Sequence, residues 1–172
     1  MSEILHSIPP VYSQSSRVLI LGSFPSVRSR EVGFFYGHSQ NRFWRVLASL
    51  FGEAVPQSID EKKAFLQTHG IALWDVIASC EIVGSSDASI RNAVPNDLST
   101  LLETAPIRAV FTNGATADRL YRKYLYHRTG IAATCLPSTS PANAAWSQER
   151  LQEAWRVVLS VIRKGEEAHE TK

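Results

Sequence analysis

Arg17-Val-Leu-Ile-Leu-Gly-Ser-Phe-Pro-Ser26, followed at a short interval by Tyr36-Gly-His-Ser-Gln-Asn-Arg-Phe-Trp44, is the stretch whose reading decides the fold. Val18 to Leu21 is a continuous apolar run of strand length, of the kind buried on both faces in a parallel sheet. It ends in a Gly-Ser-Phe-Pro turn. Ser23 to Gln40 reads as a long loop with several Gly and Pro breaks, carrying aromatic and amide side chains. A helix then opens on Asn41, Arg42, Phe43 and Trp44, with Phe43, Val46, Leu47 and Leu50 on one face. A strand that runs into such a turn delivers polar groups and flat apolar surfaces to its carboxyl end, where open α/β sheets take their ligands.

The remaining chain repeats the alternation. Ser58-Ile-Asp-Glu61 is a capping box that starts a second helix, ending near Gly70. Ile71 to Trp74 is a second strand, Val110 to Thr112 a third, and Ile131 to Leu136 a fourth. Helices lie over Leu98 to Ala105, around Leu120 and Tyr121, and from about Ser147 through Trp155 to Ile162. Strands alternating with helices predict a three-layer α/β/α sandwich around a short, mostly parallel four-stranded sheet. The polar stretch Cys80 to Asn92 reads as surface loop. Residues 1–15, with Pro9-Pro10, read as an extended arm, and 165–172 as a disordered charged tail.

The 172 residues suit one domain, and an apolar fraction of 44% is ordinary for a globular chain. No segment has the length of a membrane span, and the N-terminus lacks a long apolar signal region, so a cytoplasmic monomer is expected. The net charge of +2 is small, so any grip on nucleic acid has to come from local patches. The two cysteines, Cys80 and Cys135, are too few for an iron–sulfur cluster and have no zinc-site spacing. They read as two buried free thiols, and no cofactor or metal is called for.

Candidate chemistry sits at the strand ends. Ser23 lacks the surroundings of a nucleophile; Gly22, Ser23 and Phe24 read instead as a turn whose backbone N–H groups approach a ligand. Tyr36 lies in an aromatic-rich loop and offers a face for stacking on a base. Asn41 is either a helix cap or an amide that orients water through its lone pair. His38 could donate to a leaving base or a phosphate. Asp75 and Asn113 end strands and are read either as caps or as site residues. The turn Pro137-Ser138-Thr139-Ser140-Pro141-Ala142-Asn143 offers hydroxyls and N–H groups suited to phosphates, or is a plain Ser/Pro loop. Arg42 belongs to a basic cluster beside the first motif.

Taken in order, Gly22-Ser-Phe-Pro-Ser26, Gly37-His-Ser-Gln-Asn-Arg-Phe-Trp44 and Leu136-Pro-Ser-Thr-Ser-Pro141 resemble the uracil-DNA glycosylase superfamily, most nearly its hypoxanthine-DNA (deoxyinosine) branch. The resemblance spans roughly residues 8 to 163. It implies a DNA repair enzyme that flips a deaminated base (hypoxanthine, with uracil or xanthine as further substrates) and hydrolyses its N-glycosidic bond without metal or cofactor. It implies catalytic roles for Asn41, Ser23 and His38. Base-binding roles fall to Gly22, Phe24, Tyr36, Asp75 and Asn113, and DNA contacts to Pro137, Ser138, Thr139, Ser140, Asn143 and Arg42. Two positions depart from the efficient uracil enzymes: Ser23 stands where a branch has a catalytic Asn, and Leu136 stands where those enzymes have a His. These departures leave open a catalytically silent DNA-binding module of the same fold, and a nucleoside hydrolase is a third reading.

Overall fold

The computed structural model describes residues 2–170. Its elements in chain order are β1 (Ile4–Leu5), β2 (Val18–Gly22), α1 (Val27–Val32), α2 (Phe43–Phe51), α3 (Ile59–Thr68), β3 (Ile71–Asp75), β4 (Ile77–Glu81), β5 (Arg91–Pro95), α4 (Ser99–Thr104), β6 (Ala109–Asn113), α5 (Ala115–Tyr124), α6 (Tyr126–Thr129), β7 (Ala133–Leu136) and α7 (Gln148–Glu170). The central sheet has four strands in the order β3-β2-β6-β7, and every pair is parallel. All four strands therefore point their carboxyl ends to the same edge. Gly22, Asp75, Asn113 and Leu136 end there, with Gly22 opposite Asp75 and Asn113 opposite Leu136.

Period-two alternation sorts β2 between two cores. Val18 and Ile20 pack with Phe43, Leu47, Trp155 and Val158 beneath α2 and α7. Leu19 and Leu21 pack on the other side with Leu98, Leu101, Leu120 and Tyr121 beneath α4 and α5. The expected α/β/α layering is thus present. The capping box also forms: Ser58 Oγ accepts from Glu61 N at 3.0 Å, while Glu61 reaches back one residue further than expected, to Gln57 N at 2.9 Å.

Five expectations need correction. Cys80 to Asn92 is not simply a surface loop. β4 and β5 pair antiparallel and, with β1, build a second three-stranded sheet on the same side as α4 and α5. Its small and polar residues hid it, because only one face is buried and a shift in register between the strands breaks the alternation. The loop after β2 contains the short helix α1, capped by Ser26 Oγ accepting from Ser29 N. The N-terminal arm is extended as expected but is stitched down: β1 lies against β4, and Val11 bridges Leu73. Cys80 is a buried thiol, whereas Cys135 is exposed on the edge strand β7.

The expected disordered tail from Gly165 is instead a continuation of α7 to Glu170; Thr171 and Lys172 lie outside the described residues. Among the described residues no helix is long and apolar enough to cross a membrane.

Trp155 couples the fold to the site. Its ring is fully buried against the edge of Phe43, and its Nε1–H donates to the Pro137 carbonyl at 2.9 Å. Trp155→Phe keeps most of the packing but leaves that carbonyl without its donor. A loss of roughly 1–3 kcal/mol is expected, read as a lower denaturant midpoint with an unchanged slope.

Candidate active site

A cavity of about 330 Å³ opens at the carboxyl edge of the central sheet. Its wall takes Gly22, Ser23 and Phe24 from the end of β2, Asp75 from β3 and Asn113 from β6. Tyr36, His38 and Asn41 reach it from the segment before α2, and Ser138, Thr139 and Ser140 from the loop after β7. Residues separated by up to about 120 positions are gathered because parallel strands deliver their ends to one place.

Two glycines mark where backbone and side chains come closest. A Cβ on Gly22 would lie 2.4 Å from Asp75 Oδ1 and 3.0 Å from the Tyr36 hydroxyl. Gly114 has φ +98° and lets Ser138 press against the end of β6.

Thr139 ties the wall together. It is fully buried. Its N–H donates to Asn113 Oδ1 at 3.0 Å, and its Oγ1 accepts from Asn113 Nδ2 at 3.0 Å. The Thr139 hydroxyl is thereby free to donate onward to Asn41 Oδ1 at 2.9 Å. Phe43 N also donates to Asn41 Oδ1, at 2.9 Å. Both lone pairs of that oxygen are therefore used, and the amide is locked in one orientation. This corrects the expected chemistry at Asn41: the group left for a ligand is the Nδ2 donor, not an oxygen lone pair. Asn41 also serves the cap role, through Phe43 N.

The loop 137–143 differs from expectation in the same way. Most of its N–H groups are taken up within the protein, and among the described residues only Ser138 N has no acceptor. Ser140 N donates to Ser138 Oγ, Ala142 N to Ser140 Oγ, and Asn143 N to the Ser140 carbonyl. What it presents to the cavity are serine hydroxyls. Arg42, expected to contact DNA, directs its guanidinium at the carbonyls of Ser140 and Asn143, each at 3.1 Å, and of Trp146. It braces the loop from α2. Asn143 Nδ2 likewise folds back onto the Ser138 carbonyl, and Pro137 offers its carbonyl to Trp155, so neither lines the cavity.

Tyr36 has φ +52°, a left-handed conformation that costs a bulky residue of order 1–3 kcal/mol. It is held there by stacking on Phe43, with ring centroids 4.0 Å apart. One face of the ring is thus committed to the core. The hydroxyl is buried and makes no hydrogen bond of ordinary geometry among the described residues, with the Asn113 side chain close by. Burial, then the Asp75 carboxylate, push its ionisation far above the usual phenol range, so it is a neutral O–H donor. His38 is exposed at the rim; its Nδ1 accepts from Gln40 N at 3.1 Å, which leaves Nε2 as the outward nitrogen.

Two site residues went unrecognised in the sequence. His6 donates from Nε2 to Asp75 Oδ2 at 2.8 Å, both side chains being almost completely buried. Asp87 sits in a short 3₁₀ turn between β4 and β5, lines the cavity, and accepts from Ser23 Oγ at 2.8 Å. Ser23 is therefore a ligand of a carboxylate. Nothing local in the sequence signals either residue, because each reaches the site through the second sheet. Among the described residues no three His, Cys, Asp or Glu side chains converge as a metal site would need.

Burial raises the ionisation of Asp87, and repulsion from Asp75 adds to it, against the Ser23 hydrogen bond and Arg119. A carboxyl raised in the folded state costs nothing below its unfolded value of about 4 and destabilises once pH rises through the folded value. Asp87→Asn keeps an acceptor for Ser23 and removes the charge. The variant should therefore melt higher than the parent at pH 8, with the difference closing toward pH 4. Calorimetry at the two pH values checks this; a parent that melts higher at pH 8 would show the carboxylate to be stabilised.

The comparisons with known proteins agree with this architecture. Residues 9–159 match the family described as the Uracil DNA glycosylase superfamily. A Methanosarcina acetivorans protein named hypoxanthine DNA glycosylase is 35% identical over 158 residues, covering 91% of this chain and 98% of the relative. A Methanosarcina barkeri protein of the same name is 36% identical over 138 residues, covering 78% of this chain and 85% of the relative. A solution NMR structure from Methanosarcina acetivorans, proposed as a uracil DNA glycosylase, superimposes with a TM-score of 0.77 at 34% identity, covering 91% of this chain and 96% of that one. With its motifs brought together at one sheet edge, this chain belongs to the uracil DNA glycosylase superfamily.

Proposed function

We propose that the protein is a monofunctional DNA repair glycosylase. It hydrolyses the N-glycosidic bond of a deaminated base in DNA, hypoxanthine first and uracil or xanthine second, and leaves an abasic site. The observation that carries this reading is the single cavity into which Gly22, Ser23, Tyr36, Asn41, Asp75 and Asn113 all open. Its volume is at the small end of ligand sites, about 300–1,000 Å³, suited to one planar base. The names of the relatives supply the substrate class. A base inside a duplex cannot enter such a recess, so the nucleotide is flipped, at a few kcal/mol.

The chemistry follows from the groups present. The glycosidic bond breaks toward the base, which leaves with the electron pair, and the sugar becomes an oxocarbenium-like cation. The Phe24 N–H, which makes no hydrogen bond among the described residues, stabilises charge on the departing base. Asp75 and Asp87 place negative charge in the recess, which favours the cationic sugar. Asn41 Nδ2 donates to the oxygen of a water and leaves its second lone pair to bond to the anomeric carbon; the proton that water then releases passes to the departed base anion, which leaves as the neutral base. His38 and the hydroxyls of Ser138 and Ser140 stand at the rim, where phosphates of the flipped strand pass.

Oligonucleotides with a single deoxyinosine, deoxyuridine or deoxyxanthosine test this. Abasic product is expected from deoxyinosine, undiminished by EDTA; none from any of the three would sink the reading. Asn41→Ala should slow single-turnover excision by at least about 100-fold, the size of one lost preorganised donor, while duplex affinity changes little. Binding to damaged DNA with no turnover in the parent protein would favour a silent module instead.

A further inference from the structure

His6 lies outside the matched family segment of residues 9–159, yet its side chain reaches the deepest carboxylate of the site. The contact spans 69 positions of sequence. Its geometry is specific at both ring nitrogens. Ile8 N donates to Nδ1 at 3.2 Å, so the ring proton is on Nε2, and Nε2 donates to Asp75 Oδ2 at 2.8 Å. The ring is caged by Phe24, Phe35 and Trp74, with centroids 5.9 to 6.2 Å away. It cannot turn without dislodging the backbone of the arm.

With Oδ2 committed to His6, the carboxyl group of Asp75 is fixed in rotation. The other oxygen, Oδ1, lies over Gly22, which has no side chain there, and faces the cavity. Beside it, over the same Gly22, sits the Tyr36 hydroxyl, buried and without a hydrogen-bond partner among the described residues. A buried hydroxyl left unpaired is uncommon and calls for an explanation. The two atoms are one acceptor and one donor at the floor of the same recess.

Building on the glycosylase reading, we propose that His6 of the N-terminal arm is a specificity-determining positioning residue. It holds Asp75 Oδ1 as a pure acceptor next to the Tyr36 O–H donor, and the pair reads a base edge presenting an N–H beside a C=O. Hypoxanthine and uracil carry that edge. Adenine and cytosine present a ring nitrogen lone pair where the N–H would be, which faces the carboxylate oxygen and is repelled. Discrimination against adenine and cytosine, the amino parents of the two deaminated bases, then comes from a buried acceptor that accepts no substitute, set by a residue that touches no substrate; guanine and thymine carry the same N–H and C=O edge, and this pair does not reject them.

The test uses the full chain and measures single-turnover excision of hypoxanthine and of unsubstituted purine, which has neither the N–H nor the C=O. The parent should favour hypoxanthine by at least about 10-fold, the scale of one satisfied buried hydrogen bond. His6→Phe keeps a ring in the aromatic cage but loses the donor; it should lower the hypoxanthine rate at least about 10-fold while leaving the purine rate and duplex affinity within about 3-fold. His6→Gln, whose amide can donate to Oδ2, should restore most of the preference. Tyr36→Phe, which removes the donor of the pair, should lower the hypoxanthine rate at least about 10-fold.

A folded His6→Phe that keeps the full preference overturns the proposal, as does a parent that does not distinguish the two bases. Equal losses on both bases, unrescued by Gln, would assign His6 a merely structural role and equally overturn it. A parent that excises no deaminated base refutes the glycosylase reading itself, a result separate from any effect of His6.

Discussion

Thr139 is the joint on which the site depends. One residue of the loop after β7 offers its amide, its hydroxyl oxygen and its hydroxyl proton; Asn113 takes the first two and Asn41 the third. The chain of donation runs from Asn113 through Thr139 to Asn41, with a fixed direction at every step. Because Phe43 N also holds Asn41, the start of α2 is drawn into the same lattice. Such a network is cooperative in a buried setting, and breaking one member leaves the others unpaired. The same lattice sets which end of the Asn41 amide meets a ligand.

The electrostatics of the recess run against stability. Two carboxylates share the wall; Asp75 is paired with an imidazole, and Asp87 rests on a serine hydroxyl without a cation in direct contact. Tyr36 is bent into a left-handed conformation, and its hydroxyl has no hydrogen-bond partner among the described residues. Strain and unsatisfied polar groups concentrate at functional sites, where the surrounding core holds them in place. Here that core is the aromatic stack of Tyr36, Phe43 and Trp155. Negative charge suits a reaction whose transition state places positive charge on a sugar.

Much of this was legible in the chain. β2, α2 and the Ser58 cap announce themselves through local periodicity and capping chemistry, and the four parallel strands follow from their alternation with helices. The strand ends and the resemblance together put Asn41, Tyr36, Asp75 and Asn113 forward as site residues, and the fold brings all four to one cavity. What stayed hidden depends on distance in the chain. β4 and β5 are short, half-buried and rich in small polar residues, so nothing periodic marks them. Asp87 looks like one more acidic residue in a Ser/Gly stretch until the hairpin folds it over Ser23. His6 precedes a Pro-Pro segment, and only the pairing of β1 with β4 shows where it goes. The direction of the Asn41 amide and the inward engagement of Arg42 are properties of hydrogen-bond partners, which no linear pattern records.

The stitched arm has a practical side. The buried His6–Asp75 contact lies a few residues from the N-terminus, on a strand of only Ile4 and Leu5. An affinity tag fused ahead of Ser2 would pull on the segment that closes the floor of the recess, and a preparation impaired in this way would still keep its two large cores and look properly folded. Material for assays is better handled from the other end, since α7 contributes none of the described residues that line the cavity.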